Sequence, residues 1–113
     1  VDDEPFIRHL IEHVLVREGC TVVMAGNGAE ALGALDADGQ VALVISDLGM
    51  PVMDGFELLE CVRERQGPPV VILTSRGHED DARRARETGA ADLLTKPFSR
   101  QDLLRVVRQY LPV

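Results

Sequence analysis

Val41-Ala42-Leu43-Val44-Ile45-Ser46-Asp47-Leu48-Gly49-Met50-Pro51-Val52-Met53-Asp54-Gly55 holds the longest unbroken apolar run of the chain, Val41–Ile45, and an acid just beyond it. A nearly continuous apolar strand over 41–46 is the signature of a strand covered on both faces, as in a parallel sheet packed between helices. The Asp54-Gly55 pair then opens a helix with Phe56, Leu59 and Val62 inward, ending at Gly67-Pro68.

The same alternation runs outward in both directions. Residues 5–18 place Ile7, Leu10, Ile11, Val14 and Leu15 at helical spacing between Pro5 and Gly19. Cys20–Ala25 reads as a short strand. Asn27 can cap a helix carrying Ala31, Leu32 and Leu35 that stops near Gly39. Downstream, Val70–Leu73 is a fully apolar strand, 79–88 a helix of charge and alanine, and Ala91–Thr95 a short strand. Ser99 opens a last helix with Asp102 as its reciprocal cap and Leu103, Leu104, Val107 and Leu111 inward. Four strands alternating with five helices predict an α/β domain with a parallel sheet and right-handed crossovers.

Composition agrees. The 113 residues make one domain, with 45% hydrophobic and 27% charged residues, as in a globular chain. The apolar runs are far too short to span a bilayer, and no secretory signal opens the chain. The net charge of −7 argues against nucleic acid as a direct partner. Cys20 and Cys61 lack metal-ligand spacing and read as free thiols of a reducing, cytoplasmic compartment.

In open parallel sheets, ligands bind beyond the carboxyl ends of the strands. Asp2 and Asp3 follow Val1, Asp47 ends the strand 41–46, Thr74 and Ser75 end the strand 70–73, and Lys96 ends the strand 91–95. Any one of these alone would be a solvated loop residue; their coincidence at one sheet edge is not so explained. Clustered carboxylates need a cation, and all-oxygen ligands point to Mg²⁺. A metal, a lysine and a hydroxyl together suit a phosphoryl group, for which an aspartate can be the nucleophile.

Val1-Asp2-Asp3-Glu4, the nine residues Asp47–Gly55, Leu73-Thr74-Ser75 and Lys96-Pro97-Phe98 together resemble the receiver domain of two-component response regulators, over essentially the whole chain. The resemblance implies a flavodoxin-like, three-layer doubly wound sheet of order 2-1-3-4-5. It implies Asp47 as phosphoacceptor, with Mg²⁺ held by Asp2, Asp3, Asp47 and the backbone carbonyl of Gly49. It implies that Thr74 and Lys96 contact phosphoryl oxygens, and that the Lys96-Pro97 bond is cis. The implied partners are a sensor histidine kinase or histidine phosphotransfer protein as donor, and an output protein or domain on the 79–111 face, with dimerisation possible. The resemblance also implies a domain that catalyses only its own phosphorylation and dephosphorylation. On this reading residues 1–113 are a receiver, without an effector domain, whose first strand is largely missing and survives only as Val1.

The chain departs from the family pattern in two respects. Leu93 stands where an aromatic often swings inward on activation, and Gly49 and Arg76 occupy positions that tune phosphoryl lifetime. An aspartyl-phosphate phosphatase of the haloacid dehalogenase type would need a second Asp where Gly49 stands. The alternative of a receiver-like interaction module without the chemistry is opposed by the complete set Asp2, Asp3, Asp47, Thr74 and Lys96. His9-Leu10-Ile11-Glu12-His13 matches a zinc-peptidase pattern, but those polar residues fall on the solvent side of the helix. Gly26-Asn27-Gly28 is a turn, not a phosphate loop. The charge run His78–Glu87 is a solvated helix, or one whose poor apolar face lets it shift. Met50 and Met53 are packing beneath the loop.

Overall fold

The computed structural model describes residues 1–75 and 79–111. Its elements, in chain order, are α1 (Pro5–Arg17), α2 (Gly28–Ala37), β1 (Val44–Asp47), α3 (Gly55–Glu64), β2 (Val70–Ser75), α4 (Glu79–Thr88), β3 (Asp92–Lys96) and α5 (Arg100–Tyr110). The three strands form one parallel sheet in the order β1-β2-β3. Val44 pairs with Val70 and Asp47 with Leu73; Thr74 pairs with Thr95 and Ser75 with Lys96. All three strands therefore end at one edge.

Local chemistry sets the helix ends. The Asn27 side chain accepts from the Glu30 N–H at 2.9 Å. Asp54 with Glu57, and Ser99 with Asp102, form capping boxes at α3 and α5, each satisfying two backbone donors reciprocally. Pro5 starts α1, and Gly19 follows it at φ +88°, a conformation that costs glycine little.

The unbroken apolarity of residues 70–73 in β2 follows from the two cores on either side of it. Val71 and Leu73 face a core built with Ile11, Val14, Leu15, Leu103 and Val107 of α1 and α5. Val70 and Ile72 face a second core with Phe56, Leu58, Leu59 and Val62 of α3 and Ala85 of α4. Side chains alternate faces along a strand, so a strand buried on both must be apolar throughout.

The sheet is smaller than the sequence pattern predicts. Cys20–Ala25, expected as a strand, is not in the sheet, and β1 begins at Val44 rather than Val41. The backbone beside both segments is that of Val1 and Asp2. The Val1 nitrogen donates to the Ile45 carbonyl at 2.6 Å. The Asp47 N–H donates to the Val1 carbonyl, and the Asp2 N–H to the Ala25 carbonyl. Residues 1–2 thus bridge 20–25 and β1 at one end only. Behind them lies a cavity of ≈ 590 Å³ between Val22 and Ala25 on one wall and Leu43 and Ile45 on the other. A segment with strand composition but no backbone beside it forms no ladder.

Candidate functional site

Asp2 reaches the site because residues 1–2 run alongside β1 before turning into α1. It is 1% exposed. One carboxylate oxygen accepts from the Glu4 N–H at 2.9 Å and the other from the Lys96 ammonium at 3.0 Å. Asp3 is exposed beside it. Asp47 ends β1, its N–H fixed on Val1 and its carbonyl accepting from the buried Ser46 hydroxyl at 2.9 Å. Gly55 lets the first turn of α3 close on this strand end: a Cβ there would overlap the Asp47 carbonyl oxygen.

Oxygens of Asp2, Asp3 and Asp47 all lie within 4.8 Å of one another. Among the described residues this is the one carboxylate, histidine or cysteine cluster with metal-binding geometry. An all-oxygen donor set of three carboxylates fits a hard cation such as Mg²⁺.

Lys96, at the end of β3, projects its ammonium into the cluster, 3.0 Å from Asp2, 3.4 Å from Asp47 and 3.8 Å from Glu4. The Lys96–Pro97 peptide is cis, as the resemblance implied. Burial, then the neighbouring charge of Asp2, push the Asp47 carboxyl above its ordinary value, against the pull of Lys96. Burial lowers the Lys96 ammonium, but its hydrogen bond to Asp2 and the charges of Asp47 and Asp2 outweigh that and leave it raised.

Thr74 is buried at the end of β2, across from Thr95. Gly49 is exposed on the loop after β1, and a Cβ built there meets nothing within 4 Å. In the same loop Val52 is 81% exposed at φ 69°, rare for a β-branched residue. Met50 is buried and Met53 packs against the α3 core, as packing residues should. Leu93 packs partly buried against that core too. Arg76 and His78 lie outside the described residues. His9 is exposed and 3.9 Å from Glu12, within α1.

Two neighbours of the site were not singled out by the sequence pattern. Glu4 stands beside Lys96, and Arg8 donates to the Asp2 carbonyl at 3.0 Å. Their separation of four residues, one helical turn, was the available signal.

The receiver domain model of response regulators matches residues 1–108. An uncharacterised 14.6 kDa protein of Leptolyngbya boryana is 42% identical over 113 residues, spanning 97% of this chain and 86% of that one. The transcriptional regulatory protein CpxR of Escherichia coli K12 is 36% identical over 98% of this chain, which spans 47% of CpxR. The chain spans a similar share, 44%, of ResD from Bacillus subtilis. Among solved structures, the chemotaxis protein CheY4 of Vibrio cholerae superposes with a TM-score of 0.89 at 33% identity, covering 97% of this chain and 93% of that one. The receiver domain of NtrX from Brucella abortus does so at 0.91 and 31%, with the same coverages.

Proposed function

This chain belongs to the response regulator receiver domain family, and from that premise we propose that it is a phosphoacceptor switch in which Asp47 takes a phosphoryl group from a phosphohistidine. The observation that supports this best is the convergence of Asp2, Asp3, Asp47 and Lys96 at one sheet edge.

An Asp47 carboxylate oxygen attacks phosphorus, the P–N bond to the donor imidazole breaks, and its electron pair returns to the ring nitrogen. Asp47 must be ionised to attack, and Lys96, 3.4 Å away, favours that form. The Lys96 ammonium and the Thr74 hydroxyl then donate to the phosphoryl oxygens, whose charge grows most in the transition state. Asp2, Asp3, Asp47 and the Gly49 carbonyl would hold Mg²⁺, which supplies positive charge to those oxygens. Gly49, without a side chain, leaves the phosphorus open to water and so shortens the lifetime of the phosphorylated form.

The donor is a histidine kinase or phosphotransfer protein. The signal leaves through Thr74, Leu93 and the 79–111 face, without an aromatic ring at position 93. The cytoplasmic location and the possibility of a dimer belong to the same reading. No helix among the described residues is long and apolar enough to cross a membrane.

The test is incubation with acetyl phosphate and Mg²⁺, followed by mass spectrometry. A single base-labile phosphoryl adduct should map to Asp47 and disappear in Asp47→Asn or in excess chelator. Equal labelling of Asp47→Asn overturns the reading.

A further inference from the structure

Glu4 occupies the helix position where a side chain ordinarily caps the first turn, yet its carboxylate makes no cap hydrogen bond. Its backbone N–H is instead tied to the Asp2 carboxylate, which fixes its Cα at the edge of the site. From there the side chain, 62% exposed, lies 3.8 Å from the Lys96 ammonium. An ammonium has three donors, and the carboxylates beside this one are those of Asp2, Asp47 and Glu4. Asp2 is buried and Asp47 is the acceptor itself, so Glu4 is the one of the three free to swing into solvent.

We propose that Glu4 is a charge gate at this site: its carboxylate competes with the incoming phosphoryl group for the Lys96 ammonium and so slows transfer from strongly anionic donors. The inference rests on the phosphoacceptor reading. Transfer from acetyl phosphate forms the Asp47 O–P bond and breaks the P–O bond to the acetyl group; the electron pair leaves with acetate, and no proton is needed. The donor carries two negative charges near neutral pH. It must therefore approach a mouth that already holds Glu4 and Asp3, and the phosphoryl group must then displace Glu4 from Lys96. Both effects are Coulombic and scale with donor charge.

The experiment compares wild type, Glu4→Gln and Glu4→Asp at saturating Mg²⁺, with acetyl phosphate and with phosphoramidate, a less negative donor. At low ionic strength Glu4→Gln should phosphorylate about two- to five-fold faster than wild type from acetyl phosphate, the range one exposed charge pair supplies. It should gain less from phosphoramidate. Glu4→Asp, which keeps the charge, should stay near wild type. The difference should vanish near 1 M salt, where the Debye length is about 3 Å. Mg²⁺ affinity, measured by calorimetry, should fall by no more than about two- to five-fold, the effect of the same exposed charge on a divalent ion that Glu4 does not ligate, and saturating Mg²⁺ keeps that change out of the rates. Equal rates for wild type and Glu4→Gln at low salt overturn the proposal. So does a gain that is the same for both donors and insensitive to salt, since that is a structural effect. Failure of wild type to label at Asp47 overturns the phosphoacceptor reading itself, and this inference with it.

Discussion

Asp2 and Asp3 are neighbours in sequence but do different work. Asp2 is buried and bonded to both Lys96 and the Glu4 N–H, whereas Asp3 is exposed. Asp2→Ala should lower stability by about 1–3 kcal/mol in urea titration, the cost of leaving buried polar partners unsatisfied. Asp3→Ala should stay within about 0.5 kcal/mol of wild type. Asp3→Asn should nevertheless weaken Mg²⁺ binding more than Asp2→Asn, since Asp2 already spends one oxygen on Lys96. A calorimetric order reversed between the two would contradict this division. Gly49 gives a second prediction. With nothing within 4 Å of a Cβ there, Gly49→Asn should fold as wild type does and lengthen the phosphoryl lifetime, read from the decay of the labelled protein. Asp47 and Lys96 of the candidate site were legible in the sequence because each closes a strand-like run, and Asp2 and Asp3 because the acidic pair stands just ahead of the first helix. Glu4 and Arg8 were not, because a charged residue on a first helical turn reads as solvated until Lys96 and the Asp2 carbonyl are seen beside it.

The capping boxes are the element-scale features that the sequence announces most directly, since donor and acceptor lie three residues apart. At α5, the backbone N–H and hydroxyl of Ser99 hold the Asp102 carboxyl below its ordinary value. A depressed folded value means that the box contributes stability above the unfolded pKa of 3.8. That contribution is lost as pH falls through the folded value. Melting temperature should therefore fall more steeply with acidification below pH 4 in wild type than in Asp102→Asn, which removes the titrating group; parallel curves would refute it. The segment 20–25 shows the opposite case. Its composition is that of a strand, but a strand is completed by its neighbour, and pairing is not encoded in the segment itself.

At the scale of the whole molecule, the cavity of ≈ 590 Å³ between 20–25 and β1 is a departure from the close packing of a protein interior. Val22, Ala25, Leu43 and Ile45 line it, and the bonds made by Val1 show how a chain entering it runs parallel to β1. A chain extended by five apolar residues ahead of Val1 should therefore be stabilised. The apolar side chains that it buries and the ladder hydrogen bonds that it makes with β1 act against the entropy of ordering the added residues, and the urea midpoint should rise. Urea titration of the two chains is the measurement. An unchanged midpoint would show that the cavity does not take a strand.

That one-sided neighbourhood of β1 also writes itself into time. The Val44 N–H donates to the Pro69 carbonyl, toward β2, and the Asp47 N–H donates to Val1, away from it. Successive amides in a parallel strand point to opposite neighbours, so Ser46 shares the sheltered side with Val44, and Ile45 faces the cavity. Hydrogen–deuterium exchange should then read β1 as an alternation: late at Val44 and Ser46, early at Ile45, within a single strand of four residues. Adding the five-residue extension should slow Ile45 alone to the pace of its neighbours. A strand that is half interior and half edge thus keeps two rates of exchange, and the faster one records whether its empty side has been filled.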